Sequence, residues 1–457
     1  MGTNWQPLLE QSGRAKYRAL IDCINKGIAD GALEPGQKLP PVRELAYRLE
    51  ITPGTVARAY SLLVEDGVLT AGVGRGTYVA DLRAKVANVD TGGMIDFFSP
   101  RIPNMGQEDL IRDALRKVAS SLPANALMQY PKRETNLAAR KAFVAWMKDA
   151  PIGHYTLDDI VITHGGQNAI LHVMQAVLRG NDPVVLVDEV TFSGFRRGAE
   201  LCRARVVGVP WDGEGPDPQA LDKLVQSTGA ALYCTSAETN NPTTRSTSAR
   251  RRREIADVAS RHGLHILDDD CYNTGRHSAE SYRALLPDHG WYISSPSKLV
   301  SPSLRIGFTV PPNGWVGEML RSAQFSHFGV SSMLTEAFAH VMSNPKLPGI
   351  IKKVQAKINE DLRFVVNQLG GYPIRWRSDV PLVWVELPSG WRAPAFAQAA
   401  EARGVEMKSA DEFTLREGRA VHAVRVALNG QMEQGRFEEG IKIIRALLDN
   451  PPRSFST

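Results

Sequence analysis

Apolar residues recur at helical spacing through Tyr17, Leu20, Ile21, Ile24 and Ile28, and the pattern stops at a stretch from Gly31 to Gly36 that contains Pro35. This predicts a first helix and its end. A second stripe, Val42, Leu45, Ala46 and Leu49, follows Pro40 and Pro41, which suit a first helical turn. A third, Val56, Ala59, Tyr60 and Leu63, starts after Thr52 as N-cap with Pro53 at the first helical position. At about 100° per residue, that stripe leaves Arg58 on the opposite side of its helix, with Gly54 and Ser61 near it. Gly67 ends the helix, and residues 68–79 read as two short strands around Gly72-Val73-Gly74-Arg75-Gly76. After residue 160 the pattern changes. Apolar runs at 160–163, 183–187, 205–209, 230–235, 264–267, 291–294 and 306–310 alternate with helical stretches. Seven such units predict an α/β sheet, mainly parallel. Residues 81–93, with Asp81, Asn88, Asp90, Gly92 and Gly93, lack periodicity and read as a linker. The expected division is therefore 1–80, a linker at 81–93, and 94–457.

The 457 residues are 43% hydrophobic and 23% charged, values of a soluble globular protein that exclude collagen, coiled coil and wholesale disorder. The net charge is only +5, and residues 1–80 hold nine basic and eight acidic side chains. Any nucleic-acid face must then come from where arginines sit. Cysteines at 23, 202, 234 and 271 lack the close spacing of zinc or redox motifs, which suits a reducing compartment. There is no basic-then-apolar leader and no apolar run of about 18 residues. A cytoplasmic protein with no membrane partner is expected.

Two helices joined by a tight turn, the second presenting small residues and an arginine, match the way a helix-turn-helix enters a major groove. The segment resembles the winged helix-turn-helix domain of the GntR family of bacterial repressors. The likeness runs from Tyr17 through Leu39-Pro40-Pro41-Val42-Arg43-Glu44-Leu45-Ala46, Thr55-Val56 and Ala59-Tyr60 to Gly74-Arg75-Gly76-Thr77-Tyr78-Val79. It implies that Arg43 and Arg58 contact phosphates and base edges, that Thr52 and Thr55 lie on the DNA backbone, and that Arg75 and Gly76 probe the minor groove. Pro41 and Pro53 replace the serine and arginine usual in that family.

In a parallel α/β sheet, ligands bind beyond the carboxyl ends of the strands. After the first strand stands His164-Gly165-Gly166-Gln167, opening a helix whose free amides favour an anion. After the fifth comes Asp268-Asp269-Asp270-Cys271-Tyr272, three carboxylates whose repulsion needs a cation or solvent to relieve it. After the sixth comes Ser295-Pro296-Ser297-Lys298, then Arg305, a set suited to a Schiff-base lysine beside a phosphate. The run from Arg250 to Arg253 reads as a solvated helix start.

Together these residues resemble a fold-type I, aspartate-aminotransferase-like domain, which holds pyridoxal 5′-phosphate. The resemblance implies that Lys298 forms the internal aldimine, Asp269 pairs with the pyridinium nitrogen, and Tyr272 and Asn241 bond the ring hydroxyl. It implies that Phe192 stacks on the ring, and that Gly165, Gly166, Gln167, Ser295, Ser297, Arg305 and a partner subunit's Tyr130 hold the phosphate. Arg425, within Val424-Arg425-Val426-Ala427, would receive an effector carboxylate. No metal is assigned. His164, Thr135 and Thr244 depart from the family pattern, the last where glycine is expected.

A GntR-type reader followed by such a domain is the architecture of the MocR subfamily of transcriptional regulators. The resemblance implies a cytoplasmic homodimer that binds a DNA operator and is switched when a small amino compound forms an external aldimine. The rival is an active aminotransferase with an accessory DNA-binding module.

Overall fold

The computed structural model describes Trp5 and residues 16–65, 68–72, 76–80, 93–123, 127–272, 275–415 and 421–452. It divides into two compact units, Met1–Gly92 and Gly93–Thr457. In the first, α1 (Lys16–Ala29), α2 (Val42–Arg48) and α3 (Pro53–Glu65) precede an antiparallel hairpin of β1 (Leu69–Gly72) and β2 (Gly76–Val79). The three stripes meet in one core: Leu20, Ile24, Leu45, Ala46, Val56, Ala59, Tyr60 and Leu63 are all buried, with Leu69 and Val79 closing it. A fully buried aliphatic side chain contributes about 1.5–3 kcal/mol, so this small unit has a core of its own. The Thr52 hydroxyl accepts from the Thr55 amide at 3.3 Å, the N-cap bond that the threonine-proline pair predicts. The buried Tyr60 hydroxyl donates to the Pro40 carbonyl at 3.0 Å and ties α3 to the start of α2.

The strands of the second unit are β3 (Ile95–Phe97), β4 (Val161–Thr163), β5 (Val184–Asp188), β6 (Arg205–Val209), β7 (Leu232–Thr235), β8 (His265–Asp269), β9 (Gly290–Ser294), β10 (Gly307–Val310), β11 (Ile374–Trp376), β12 (Leu382–Glu386), β13 (Val405–Ser409) and β14 (Ala423–Ala427). Seven form one sheet in the order β4-β10-β9-β8-β7-β5-β6. All its pairs are parallel except those of β10, which runs antiparallel to β4 and β9. Every residue of β5, β7 and β9 is buried, as helices on both faces of a parallel sheet require. These are the seven apolar runs of the sequence.

A second sheet, β11-β12-β14-β13-β3, was not among the expectations. It is antiparallel except where β13 runs parallel to β3, pairing Val405 with Ile95. One face packs on a core that includes Phe97, Val383, Val385, Val405, Met407, Val424 and Val426.

The structure corrects the reading of the arginine run. The helix Ala249–His262 does begin there, but Arg251 and Arg252 are buried. Arg251 bonds Asp212 at 2.8 Å, and Arg252 bonds Glu238 at 2.8 Å. Only Arg250 and Arg253 face solvent, each ion-paired. Four cations in consecutive helical positions point around the whole circumference, so two must turn inward.

Candidate cofactor site and nucleic-acid interface

Gly165 caps the helix Gly166–Val177 with φ 84° and ψ 172°. A Cβ on Gly165 would stand 2.9 Å from the Arg305 guanidinium, and one on Gly166 would stand 2.6 Å from Cys271 Sγ. Side chains are therefore excluded where the first helical amides are open, and Arg305 lies against them with its guanidinium donating to the His164 carbonyl at 3.1 Å. The Ser295 hydroxyl bonds the Ser297 hydroxyl at 2.7 Å and donates to the Ile306 carbonyl at 2.8 Å, and the Ser297 amide donates to Ser295 Oγ. The Gln167 side-chain amide donates to the Gly194 carbonyl at 3.1 Å, anchoring the first turn of the helix Ser193–Leu201 that Phe192 caps. The Phe192 ring stands edge-on to Phe195 at 6.0 Å. Gly165, Gly166, Ser295, Ser297 and Arg305 thus stand together at the carboxyl ends of β4 and β9 and the start of β10, a candidate cup for an anion.

The three aspartates go to three different places. Asp268 accepts backbone amides of Ala237 and Tyr282, and burial pushes its carboxyl up to about 6. Asp270 accepts from the Tyr292 hydroxyl at 2.5 Å and bonds His277 Nε2 at 3.0 Å. Asp269 accepts the Cys271 amide at 3.1 Å; burial pushes its carboxyl up, against the thiol and amide of Cys271 and the charge of Lys298. Each carboxylate has protein donors of its own, and alternate strand residues face opposite sides, which sets Asp269 apart from Asp268 and Asp270. Among the described residues no cluster of three or more potential ligands has the geometry of a metal site. The Lys298 ammonium lies 5.4 Å from the Tyr272 ring centre. Lys298 therefore lies beside the Tyr272 ring and acts on the Asp269 carboxyl through its charge.

Arg425 is only 4% exposed. It donates to Asn241 Oδ1 at 3.0 Å and to the Phe98 carbonyl at 2.6 Å, while its Nε has no partner. Thr244 keeps φ 59°, a left-handed conformation that glycine adopts freely, with its amide donating to the Asn240 carbonyl at 2.7 Å. The turn conformation near Asn241 thus survives the exchange of glycine for threonine. The sequence reading overlooked Asp188. It is fully buried at the end of β5, where it accepts from Tyr233, Thr235 and Asn240, and burial pushes its carboxyl up to about 6. A lone aspartate ending an apolar run carries no local signal of this role.

Beside His164, whose ring stands edge-on to His327 at 4.6 Å, two further histidines form a hydrogen-bonded chain. His327 Nδ1 accepts the Gly329 amide at 3.1 Å, which leaves its Nε2 to donate to His172 Nε2 at 3.1 Å. His172 Nδ1 then donates to Ser322 Oγ at 2.8 Å. Only neutral rings satisfy this pattern, and burial pushes His172 down to about 4. A group whose folded value lies below its unfolded value takes up a proton more readily on unfolding. Stability should thus fall as pH drops from 6.5 toward 4, the two values for His172. A Gln variant at position 172 should show a shallower dependence of Tm on pH over that window; an identical slope would refute the assignment.

In the first unit, Arg43, Thr52, Arg58 and Gly76 are exposed and Thr55 is half-buried. The Thr52 and Thr55 hydroxyls bond each other at 2.8 Å. The Arg58 guanidinium lies 4.4 Å from the Tyr17 ring centre, and Arg18 lies 5.9 Å from the same ring. Such a contact contributes about 0.5–1 kcal/mol at an exposed site, enough to orient Arg58 without burying it. Arg75 lies outside the described residues.

Residues 94–443 match the model of the class I and II aminotransferases. The chain belongs to this family. Residues 16–79 match the bacterial regulatory proteins of the gntR family, so a gntR-type helix-turn-helix precedes the aminotransferase domain. The chain is 24% identical over 98% of its length to YdeF of Bacillus subtilis (strain 168), an uncharacterized HTH-type transcriptional regulator, covering 97% of that protein. It is 26% identical over 58% of its length to a 2-aminoadipate transaminase of Thermus thermophilus, covering 68% of that enzyme. An archaeal alanine:glyoxylate aminotransferase shares the fold with a TM-score of 0.69 at 20% identity, over 81% of this chain and 94% of that one. The two domains and the full-length relatives agree with the MocR arrangement.

Class I and II aminotransferases depend on pyridoxal phosphate, and the residues of this family member fit that group. Gly165 packs so closely on Arg305, and Gly166 on Cys271, that only glycine keeps the backbone there bare for a phosphate. Asp269, half-buried at the end of β8, offers a carboxylate to a cationic ring nitrogen, and Arg425, bonded to Asn241, keeps one N–H unused.

Proposed function

We propose that the protein is a cytoplasmic, homodimeric transcriptional regulator whose operator binding depends on pyridoxal 5′-phosphate and is switched by a small amino compound. On this reading residues 1–80 read DNA, 81–93 link, and 94–457 hold cofactor and effector. The observation that carries it is that Lys298 lies beside the Tyr272 ring and within reach of the Asp269 carboxyl's charge, in a chain that also holds a gntR-type reader. When bound, the cofactor supplies an aldehyde carbon on which one amine can replace another. Lys298 supplies the resident amine, and Asp269 holds a proton on the ring nitrogen through a charge-assisted bond of about 1.5–3 kcal/mol. Asn241 and Tyr272 orient the ring hydroxyl, Phe192 covers the ring, and the cup with Gln167 and Arg305 anchors the phosphate. Arg425 offers its guanidinium to a carboxylate. Only about 1–3 kcal/mol of coupling is needed to change operator affinity.

Tyr130 is 73% exposed, and its ring lies tilted against that of Phe328, itself 53% exposed, with centres 5.2 Å apart. With Met128 and Phe325, more than four-fifths exposed, they line a cavity of about 960 Å³. This apolar surface supports a dimer in which Tyr130 reaches the partner's phosphate.

The test is the absorption spectrum of the full-length protein loaded with pyridoxal phosphate, before and after a panel of amino acids and amines, with operator binding followed in parallel. A spectral change and an operator response to the same compound support the regulator. Steady turnover of amino donor and keto acid at ordinary enzyme rates would sink it in favour of an aminotransferase. Arg58→Ala should weaken operator binding at fixed salt, by the roughly 1–3 kcal/mol that a base contact provides, without altering the spectrum. Unchanged affinity would count against the assigned recognition helix.

A further inference from the structure

Arg425 has a second cation beside it. In the five-stranded sheet β13 runs antiparallel to β14, and Lys408 is paired directly with Arg425. Directly opposed residues project from the same face with Cβ atoms about 4.5–5.5 Å apart. The neighbours of this pair along both strands, Met407 and Val424, belong to the core on the other face, so Lys408 and Arg425 rise together on the side away from that core. Both converge on Phe98: the Lys408 ammonium lies 4.3 Å from its ring centre, and Arg425 bonds its carbonyl. Both also border Phe413, Lys408 at 5.9 Å and Arg425 at 4.8 Å from the ring centre. The Lys408 side chain is only 14% exposed.

One carboxylate serves the two. Glu412, at the end of the short turn Ala410–Glu412, bonds the Lys408 ammonium at 2.9 Å and acts on Arg425 only through its charge. Its side chain is 32% exposed, more than that of its lysine partner. Two cations set side by side against one anion leave an excess positive charge in a largely buried place bordered by two phenylalanines, where a further anion gains more than it would in water.

We propose that Lys408 is a second anion-binding residue beside Arg425, and that the amino compound recognised here is a short dicarboxylic amino acid held by one carboxylate on each cation. This rests on the effector reading above. The opposed positions set the spacing: the two cations start from neighbouring Cβ atoms, so a diacid with a chain of a few carbons reaches both, while a monocarboxylate or a diamine leaves at least one of them unmatched. Glu412 then gives up part of its hold on Lys408 when the second carboxylate enters.

The test uses glutarate and butyrate on the full-length protein, with affinity read by calorimetry. Neither probe has an amino group, so the result does not depend on covalent chemistry at Lys298. Glutarate should bind at least about tenfold more tightly than butyrate. Lys408→Met should bring the two within about twofold of one another, and Lys408→Arg should restore the preference. Glu412→Gln, which removes the competing carboxylate without removing a cation, should tighten glutarate. Equal affinity of the two probes, no binding of either, or a preference that Lys408→Met leaves intact would overturn the proposal. A glutarate preference in a protein whose spectrum responds to no amine would sink the switching mechanism and leave this inference standing. A spectral response to amines with no preference between the probes would do the reverse.

Discussion

Lys298→Ala is expected to abolish the absorption band that bound pyridoxal phosphate acquires on linkage to the protein, and with it every change in operator affinity on adding an effector. Operator binding itself should persist, because the reader is a separate compact unit with its own buried core. The size of the effect follows from chemistry rather than packing. Lys298 is half-buried, and the Tyr272 ring and Asp269 carboxylate are the groups identified around it. Alanine leaves the cup of Gly165, Gly166, Ser295, Ser297 and Arg305 in place, so cofactor should still bind without the covalent link. Asp269 then loses the positive charge that opposes its burial, and its carboxyl should rise further. An undiminished effector response in this variant would refute the role of Lys298.

Glu238→Ala is expected to be among the most destabilising single substitutions in the second unit, costing about 3–5 kcal/mol and lowering Tm by roughly 10 °C. Glu238 is 4% exposed and Arg252 1% exposed, and they bond at 2.8 Å. The carboxylate also accepts from Arg377, the Ser278 amide and the Ser278 hydroxyl. Burial works to raise its carboxyl, but the donors from Arg377, Arg252 and Ser278 outweigh it and hold it below the ordinary value of 4.5. The carboxylate's contribution is thus fully present above pH 4.5, the unfolded value, and lost as pH falls through the lower folded value. Alanine would leave the buried Arg252 guanidinium with neutral carbonyls of Thr247, Ala279, Glu280 and Ala237 and the Ser278 hydroxyl as acceptors. The control is Glu280→Ala. It breaks the exposed pair with Arg253, 3.6 Å long, and should change stability by no more than about 0.5 kcal/mol. Thermal denaturation of both variants at neutral pH checks the contrast, and equal losses would refute it.

The amino-acid order announces whatever depends on near neighbours. Stripes such as Val56, Ala59, Tyr60 and Leu63 specify α3 because one helical face has to be buried, and the structure buries all four. The seven apolar runs specify the large sheet for the same reason, and His164 to Gln167, Asp269 and Ser295 to Lys298 all stand at the carboxyl ends of its strands, where ligands gather in this architecture. What depends on distant neighbours stayed hidden. The second sheet pairs Ile95 with Val405, residues whose short strands carry no shared local signal. Arg252 is an arginine among arginines until Glu238, Ala279 and Glu280 come to meet it. Lys408 is one more lysine until strand register sets it beside Arg425. Periodicity acts over a few residues and is written in the chain, whereas the partner of a buried charge is chosen by which strands pack together, and only the closed tertiary structure makes that choice.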